Sequence, residues 1–317
     1  MGTVFRICLF AEDQTHALVS HEAAFEEIER LEETLSKFRP TSEISRINRL
    51  AGQRPVTTDG EVFGLLEKAL SYSRMTHGAF DVTVGPLMRA WGFFRAQGRL
   101  PDGDELAAAR SKTGYEKVQL DPPSRTVRFT APEMEIDLGA IGKGYAVDCA
   151  ISVLSEAGIA AALVDAGSST ISALGAPPGS SGWRVHVPDP LQRSKSLSTL
   201  ALRDRSISTS GNYERFFELN GKTYGHILDP RTGTPAHGVL QASLVAANAT
   251  MSDALSSAAF VLGTEAGAEL VEELNGVEAM WVLSEESLRN VVTCNWSRDI
   301  VKERIPLEPS LGRTYRA

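Results

Sequence analysis

The chain has 317 residues, a formal net charge of -8 and 42% hydrophobic residues. This length predicts one large or two small domains, and the hydrophobic share is ordinary for a globular protein. The negative charge argues against a general nucleic-acid-binding surface, which needs a basic face, but it allows a nucleotide held by a few cations or a metal. The three cysteines, Cys8, Cys149 and Cys294, match neither a metal-ligand spacing nor a disulfide framework, so we predict that they are small core residues.

The sequence contains no apolar run long enough to span a bilayer, so we predict no transmembrane segment. The first apolar stretch, residues 4–11, is interrupted by Arg6 and followed by Glu12 and Asp13, which is not the pattern of a secretory signal peptide. As written, the sequence therefore predicts a cytoplasmic protein. A leader removed before residue 1 would instead make it an exported or periplasmic one.

Hydrophobic periodicity predicts both helices and strands. In chain order, helices are predicted over residues 16–38, 45–50, 61–76, 106–113, 143–157 and 253–262. Strands are predicted over residues 4–11, 118–120, 126–129, 135–138, 161–165, 183–187, 198–202, 206–210, 216–219 and 240–246. Because helices and strands are interleaved without a regular βαβ rhythm, we predict an α+β fold. We interpret residues 1–300 as a single catalytic domain and residues 301–317 as a C-terminal tail.

The segment 226–235 concentrates chemically useful groups in ten positions. It contains His226, Asp229 and Arg231, with Pro230 and Gly233 constraining the backbone. Two interpretations stay open at this point: a rigid loop that presents polar groups for chemistry, and a turn whose hydrogen bonds are purely structural.

Asp253 and Ser257 are four residues apart in a predicted helix, so both side chains project from the same face. A carboxylate and a hydroxyl are hard oxygen donors that suit Mg²⁺. The alternative is that Asp253 caps the helix and Ser257 hydrogen-bonds back to a carbonyl group.

A glycine-rich turn over residues 137–148 joins a predicted strand to a helix with Lys143 in its first turn. Helix amides, the helix dipole and this lysine favour an anion such as phosphate. The spacing matches neither a Walker A loop nor a dinucleotide-binding fingerprint, and a tight turn built for close packing remains the alternative.

Each of these segments is a weak signal alone, but their order along the chain is specific. The chain carries M-G-T, S-x-F-x-P-x-S-E-I-S-x-I-N, G-A-F-D-V-T-V-G-P, D-L-G-A-I-G-K-G-Y-A-V-D, S-T-S-G-x-Y-E-R, H-I-L-D-P-R-T-G and S-D-A-L-S-S-A, in that order. Over about residues 1–263, this set resembles the ApbE family of FAD:protein FMN transferases, formerly called thiamine-biosynthesis lipoproteins.

The resemblance implies mixed and antiparallel sheets with flanking helices, in two lobes around a cleft that holds flavin and Mg²⁺. It implies an enzyme that splits the FAD pyrophosphate, attaches FMN to a threonine or serine of an acceptor protein, and releases AMP. The residues that it assigns to Mg²⁺ are Asp253, Ser257 and Ala140, the last through its backbone carbonyl. The residues that it assigns to the substrate FAD are Met1, Phe38, Ala79, Phe80, Asp81, Asp137, Lys143, Ile227 and Leu228.

Two residues of the histidine segment are candidates for catalysis. His226 has an ordinary pKa near neutrality, which suits a base that deprotonates the acceptor hydroxyl, and its alternative role is to fix the loop. Asp229 is expected to orient that imidazole or to support a metal ligand. Phe80 has a packing alternative as well, because a lone aromatic beside a strand usually belongs to the core.

The chain departs from the family pattern at three places. Ser257 stands where the family commonly has threonine, which keeps the hydroxyl but loses the β-branch that restricts χ1. Gly167-Ser168-Ser169 replaces Gly-Gly-Asp or Gly-Gly-Asn, which we expect to narrow the cleft or to change what it admits. Family members often carry an export leader before M-G-T, and removal of Met1 would remove an expected FAD contact.

Three functions are compatible with these residues. The first is a Mg²⁺-dependent FMN transferase that acts on a protein hydroxyl. The second is a hydrolase that uses the same site with water as acceptor and gives FMN and AMP. The third is a flavin-binding protein without turnover, for which the departures at Ser257 and at residues 167–169 are the support.

Overall fold

The computed structural model describes residues 3–95, 98–213, 215–285, 288–296 and 305–306. Met1 and residues 301–304 and 307–317 of the predicted tail lie outside the described residues. The helices are α1 (Gln14–Leu35), α2 (Glu43–Leu50), α3 (Gly60–Met75), α4 (Gly85–Ala90), α5 (Gly103–Ser111), α6 (Gly142–Glu156) and α7 (Ala249–Glu272). Single 3₁₀ turns cover Phe93–Arg95 and Tyr115–Lys117.

The strands form one large sheet and four small ones. They are β1 (Phe5–Phe10), β2 (Val56–Thr57), β3 (Val118–Asp121), β4 (Thr126–Phe129), β5 (Ala161–Ala166), β6 (Thr170–Leu174), β7 (Trp183–Pro188), β8 (Ser196–Leu202), β9 (Arg205–Gly211), β10 (Phe216–Leu219), β11 (Lys222–Gly225), β12 (Leu228–Asp229), β13 (Thr234–Pro235), β14 (Val239–Ala246), β15 (Glu278–Glu285), β16 (Leu288–Cys294) and β17 (Ile305–Pro306).

The large sheet has eight strands in the order β1-β5-β6-β9-β14-β15-β16-β17, and every neighbouring pair is antiparallel. Strands β6 and β9 are neighbours although two strands separate them along the chain, and the register places Thr170 opposite Ser208. This pairing brings two distant segments together beside the first turns of α7.

Helices α6 and α7 pack against strands of the large sheet: α6 contacts β5 and β6, and α7 contacts β9 and β14. The small residues of these helices, such as Ala146, Ala254 and Ala258, are completely buried, which permits the close approach of backbones. Helix α7 is kinked at Gly263, where φ is +74°, a conformation that favours glycine.

The first half of the chain builds a separate hydrophobic cluster around helices α1 to α3 and the three-stranded sheet β2-β4-β3. Leu31, Ile44, Leu65 and Ile136 are among its fully buried members. The same cluster includes Ala254 and Ala258, so α7 packs against both halves of the chain.

The predicted α+β class is confirmed, and most predicted elements lie within a few residues of their observed ends. The predicted strand over residues 135–138 is wrong. The amide of Ile136 donates to the side chain of Asn48 over 2.7 Å, and the amide of Asp137 donates to the carbonyl of Val82 over 2.7 Å. A side chain and a loop thus replace the strand partner, so the segment stays irregular.

Other boundaries differ because the sequence pattern is weak there. Helix α7 is longer than predicted at both ends, and residues 170–174 and 278–285 form strands that the pattern did not predict. The prediction that all cysteines belong to the core is wrong for Cys8, which is exposed on the outer face of the edge strand β1. Among the described residues, no helix is both long and apolar enough to cross a membrane.

Candidate active site

The N-terminal ends of α6 and α7 meet at a corner that we call the α6–α7 corner, formed by residues 142–148 and 249–257. The amide of Gly144 donates to Oδ2 of Asp253 over 2.9 Å. A β-carbon on Gly144 would lie 2.2 Å from the carbonyl oxygen of Ala249, so only glycine permits this approach. In return, Asp148 of α6 accepts hydrogen bonds from the amides of Ala249 and Thr250 over 2.7 and 2.8 Å. Each helix therefore supplies a carboxylate to the first turn of the other.

Asp253 is the centre of this corner. It is 4% exposed, and its Oδ1 lies 3.2 Å from the hydroxyl of Thr170 and 3.6 Å from Nζ of Lys143. The same ammonium donates to the carbonyl of Gly139 over 3.2 Å. Asn248, and not Asp253, caps α7, so the capping alternative for Asp253 is wrong. The corner holds a positive charge between a buried carboxylate and a backbone carbonyl.

Of the other two predicted metal ligands, Ser257 lies in α7 and Ala140 in the turn before α6. Ser257 lies one turn after Asp253, is half-buried, and has its hydroxyl 3.2 Å from that of Ser210. Ala140 is half-buried in the turn between Gly139 and α6. A carboxylate, a hydroxyl and a carbonyl are all hard oxygen donors, which is the set that Mg²⁺ prefers.

Asp137 connects the corner to the segment that carries Phe38. Its Oδ1 accepts from the amide of Gly139 over 2.9 Å, and its Oδ2 lies 2.7 Å from Nζ of Lys37. That ammonium is also 3.3 Å from the centroid of the Phe94 ring. Phe38 is 70% exposed, with its ring edge-to-face against Phe94 at 6.1 Å. The exposed ring of Phe38 therefore belongs to the residue that follows Lys37, the partner of Asp137.

The side chains of the segment 79–83 are buried. Ala79 and Phe80 are buried in the core, and the Phe80 ring lies 6.4 Å from that of Tyr72, as the packing alternative predicts. Asp81 accepts from the amide and hydroxyl of Thr83 and from the amide of Tyr115. Burial raises the pKa of Asp81 to about 6, against the opposing effect of those hydrogen bonds. Its carboxylate fixes the loop.

His226 is half-buried, and its ring lies 6.4 Å from that of Phe93. Its Nδ1 is 3.0 Å from the carbonyl oxygen of Arg215. Because a carbonyl only accepts, Nδ1 carries the proton and Nε2 keeps a lone pair. Burial lowers the pKa of His226 to about 4, helped by the charges of Arg215 and Lys143 and opposed by the Arg215 carbonyl and by Asp137. The imidazole is therefore neutral at pH 7.

We predicted that Asp229 orients this imidazole or supports a metal ligand, but among the described residues its carboxylate is hydrogen-bonded to Arg231 instead. Its Oδ1 accepts from the amide and from Nε of Arg231, both over 2.9 Å, and its Oδ2 accepts from the same guanidinium over 2.8 Å. The reason is local: in the turn after Pro230, Arg231 is two residues away and satisfies both carboxylate oxygens. Asp229 thus holds the shape of its own loop.

The loop of residues 226–235, which we call the histidine loop, is hydrogen-bonded to residues in the first half of the chain. The indole of Trp91 donates to the carbonyl of Gly233 over 2.8 Å, and Arg110 donates to the carbonyl of Arg231 over 3.0 Å. Ile227 uses its carbonyl to accept from the amide of Ala236, and Leu228 is buried next to Trp91. The predicted flavin contacts of Ile227 and Leu228 stay predictions.

The turn that departs from the family pattern lies beside the corner. Ser168 is exposed and adopts φ +59°, in the left-handed region that disfavours a β-carbon. The carbonyl of Ser169 accepts from the amide of Thr209 over 2.7 Å. The turn leads directly into Thr170, which contacts Asp253.

Three residues of the site were not assigned from the sequence: Lys37, Asp148 and Thr170. Lys37 and Asp148 lie within the motifs quoted above, but nothing in the motifs indicates their partners. Thr170 has a weak signal, because hydroxyl residues alternate at positions 170 and 172 of β6 and at positions 206, 208 and 210 of β9. The pair that Thr170 forms with Asp253 spans 83 residues of sequence.

Known proteins resemble this chain over most of its length. The sequence model of the ApbE family matches residues 1–281. A FAD:protein FMN transferase of Treponema pallidum is 35% identical over 309 residues and covers 91% of this chain and 84% of that protein. The crystal structure of the ApbE protein of Thermotoga maritima has a TM-score of 0.82 and 34% identity, and covers 89% of this chain and 91% of that one. The apo flavinyl transferase ApbE of Pseudomonas stutzeri has a TM-score of 0.81 and 29% identity, covering 92% and 91%.

Proposed function

This chain belongs to the ApbE family, and we propose that it is a Mg²⁺-dependent FAD:protein FMN transferase. Its substrates are FAD and an acceptor flavoprotein with a threonine or serine hydroxyl. Its products are AMP and FMN joined to that hydroxyl by a phosphoester bond. The observation that carries the proposal is the α6–α7 corner, where a buried carboxylate and an ammonium lie 3.6 Å apart at a helix N-terminus.

The corner fits a divalent cation. Asp253, Ser257 and the carbonyl of Ala140 would hold Mg²⁺, which when bound neutralises charge on the pyrophosphate oxygens. The fit is supported by Lys143, whose ammonium already lies between the Asp253 carboxylate and the Gly139 carbonyl. Because the Asp253 carboxylate and the Gly139 carbonyl attract the ammonium of Lys143, the oxygen groups of this corner are also suited to a metal cation.

Lys143 and the start of α6 form the anion-binding side of the site. The N-terminus of a helix of this length carries a partial positive charge, and the ammonium of Lys143 adds a full one. Together they bind the pyrophosphate and stabilise the charge that develops on the AMP phosphate as it leaves.

His226 acts as the base. Its neutral imidazole presents the lone pair of Nε2, while Nδ1–H is held by the carbonyl of Arg215. The acceptor hydroxyl gives its proton to Nε2 as its oxygen bonds to the phosphorus of the FMN half. The bond from that phosphorus to the bridging oxygen breaks, and the bridging oxygen leaves with AMP. No water is consumed, so the acceptor gains FMN less one water.

The flavin lies, in this proposal, between the Phe38 segment and the histidine loop. The exposed ring of Phe38 offers a stacking face, and Ile227 and Leu228 follow His226 directly. Ala79, Phe80 and Asp81 contribute FAD contacts through the backbone of their loop, since their side chains are buried. The aromatic and amide surface here suits a planar ring system.

The proposal is tested by flavin fluorescence on a denaturing gel. The protein is mixed with FAD, Mg²⁺ and an acceptor domain that bears a threonine or serine in a loop of small residues. We expect a fluorescent acceptor band that disappears with EDTA and returns when Mg²⁺ is added in excess. AMP and free FMN without a labelled acceptor would indicate a hydrolase, and intact FAD bound without either product would indicate a flavin-binding protein; both results would contradict the proposal.

A further inference from the structure

We propose that Thr170 is a positioning residue for the carboxylate of Asp253, at the end of a buried chain of hydroxyl groups. The inference rests on the proposed function, because it concerns the same divalent-cation site. It assigns a role in metal affinity to Thr170, which lies in none of the quoted motifs.

The geometry is a line of four groups from three elements. Thr170, the first residue of β6, lies 3.2 Å from Oδ1 of Asp253. Ser208, its cross-strand partner in β9, lies 3.1 Å from the Thr170 hydroxyl and 2.7 Å from that of Ser252 in α7. Thr170 and Ser252 are 0% exposed and Ser208 is 1% exposed, so water does not compete for these hydroxyls.

The direction of the chain follows from counting protons. A carboxylate at Asp253 can only accept, so Thr170 must donate its single proton to it. Ser208 then donates to Thr170, and Ser252 donates to Ser208, across the shortest of the three contacts at 2.7 Å. Ser252 also donates to the carbonyl of Ala249 over 3.2 Å, so its proton is shared between that carbonyl and Ser208 in a three-centre hydrogen bond. Aligned hydroxyl dipoles that end on an anion strengthen one another.

The consequence is that both oxygens of Asp253 are held. The amide of Gly144 donates to Oδ2 and Thr170 donates to Oδ1, so the carboxylate cannot rotate without losing a buried hydrogen bond. Threonine is suited to this task because its β-branch restricts χ1 in a strand. Groups that orient a metal ligand in this way are typically worth about 10- to 100-fold in metal affinity or activity.

The chain contains a matched control one register step away. Ser172 of β6 lies opposite Ser206 of β9, and the two buried hydroxyls are 2.7 Å apart. This pair has the same strands, the same donor direction and similar burial, and no hydrogen bond to Asp253 is found for it among the described residues. Thr170→Val and Ser172→Ala each remove one buried β6 hydroxyl that accepts from a β9 serine, so Ser172→Ala controls for the loss of such a hydroxyl in the same pair of strands.

The test is the affinity for Mn²⁺, titrated calorimetrically into the full-length protein without flavin, with thermal denaturation in EDTA as the stability control. Four variants are compared with the wild type: Thr170→Val, Thr170→Ser, Ser172→Ala and Asp253→Ala. We expect Thr170→Val to weaken Mn²⁺ binding by about tenfold and Thr170→Ser to restore most of it. Ser172→Ala should bind like the wild type, and Asp253→Ala should not bind at this site.

The outcomes separate this inference from the function on which it rests. Unchanged affinity in Thr170→Val, or equal losses in Thr170→Val and Ser172→Ala, would overturn the positioning role while loss of binding in Asp253→Ala keeps the metal site. Unchanged binding in Asp253→Ala would remove the metal from the corner and overturn both.

Discussion

The α6–α7 corner and the histidine loop hold their reactive groups in different ways. In the corner, Asp253 is buried and both of its oxygens receive hydrogen bonds, from Gly144 and from Thr170. In the loop, His226 is half-buried and its Nδ1 is held by one carbonyl, that of Arg215, which leaves Nε2 as an acceptor. The corner holds the Asp253 carboxylate in one orientation, whereas the loop leaves Nε2 of a neutral imidazole free to accept a proton.

The two regions should therefore differ in how strongly a substitution lowers the rate of transfer. A cation site loses its charge balance when its carboxylate is removed, and no neighbouring group replaces it. A proton acceptor can be replaced in part by water at a partly open site. We therefore expect substitutions in the corner to have larger effects on transfer than substitutions in the loop.

The largest effect is expected for Asp253→Asn, which should lower FMN transfer by at least about 10³-fold, because a metal supplies several kcal/mol of transition-state stabilisation. The chain should remain folded, since an amide can keep one of the two buried hydrogen bonds. Transfer is measured as the initial rate of acceptor labelling. Asp121→Asn, at the end of the distant strand β3, is the matched control and should leave the rate unchanged. A rate within tenfold of the wild type would place the cation elsewhere.

The next largest effect is expected for His226→Ala. Transfer should fall by about 10²- to 10³-fold, the usual contribution of a general base, with FAD still bound. In the wild type, the base is active when neutral, so the rate should stay flat from about pH 8 down to 6 and fall as the pH approaches the lowered pKa of about 4.

The variant should lose the acid limb of this profile. FAD affinity is measured by quenching of flavin fluorescence, and the rate by acceptor labelling across the pH range. Loss of FAD binding, with no change in the pH profile of the residual rate, would assign His226 a structural role in the loop.

Stability should respond to the reciprocal contacts of the corner. Asp148→Ala removes the acceptor for the amides of Ala249 and Thr250 and should lower the free energy of unfolding by about 2 kcal/mol. Asp13→Ala removes the exposed cap of α1, which accepts from the amide of His16, and should cost about 1 kcal/mol.

Urea denaturation of both variants measures the difference. Asp148→Ala should also weaken Mn²⁺ binding, because α7 carries Asp253, whereas Asp13→Ala should not. Equal losses of stability in the two variants, with Mn²⁺ binding unchanged in both, would show that packing alone stabilises the corner.

The smallest effect is expected for Ser168→Gly. A non-glycine residue at φ +59° carries backbone strain, which glycine avoids at the cost of greater freedom in the unfolded chain. We expect a gain of up to about 1 kcal/mol in the free energy of unfolding, seen as a higher thermal midpoint. Ser169→Gly, next in the chain, is the control and should be neutral or destabilising. A loss in Ser168→Gly would mean that the serine side chain stabilises the turn.

The local parts of this site were predictable from sequence. The glycine-rich start of α6 with Lys143, and the four-residue spacing of Asp253 and Ser257, are properties of one helix each. Helical periodicity correctly placed Asp253 and Ser257 in one helix, four residues apart, although α7 extends beyond the predicted ends.

The contacts between distant segments were not predictable from the residues alone. The irregular course of residues 135–138 depends on the side chain of Asn48, and the environment of Asp253 depends on β6 being paired with β9. Pattern and propensity report on neighbours along the chain, whereas these partners are set by the order of strands in the sheet.

The central claim is that FMN passes from FAD to a protein hydroxyl at the α6–α7 corner. It is tested most directly by intact mass spectrometry of the acceptor, with AMP quantified in the same reaction. We expect an acceptor heavier by FMN less one water, with one AMP released per flavin attached, and neither product in Asp253→Asn. An acceptor of unchanged mass beside equal amounts of free FMN and AMP would contradict it.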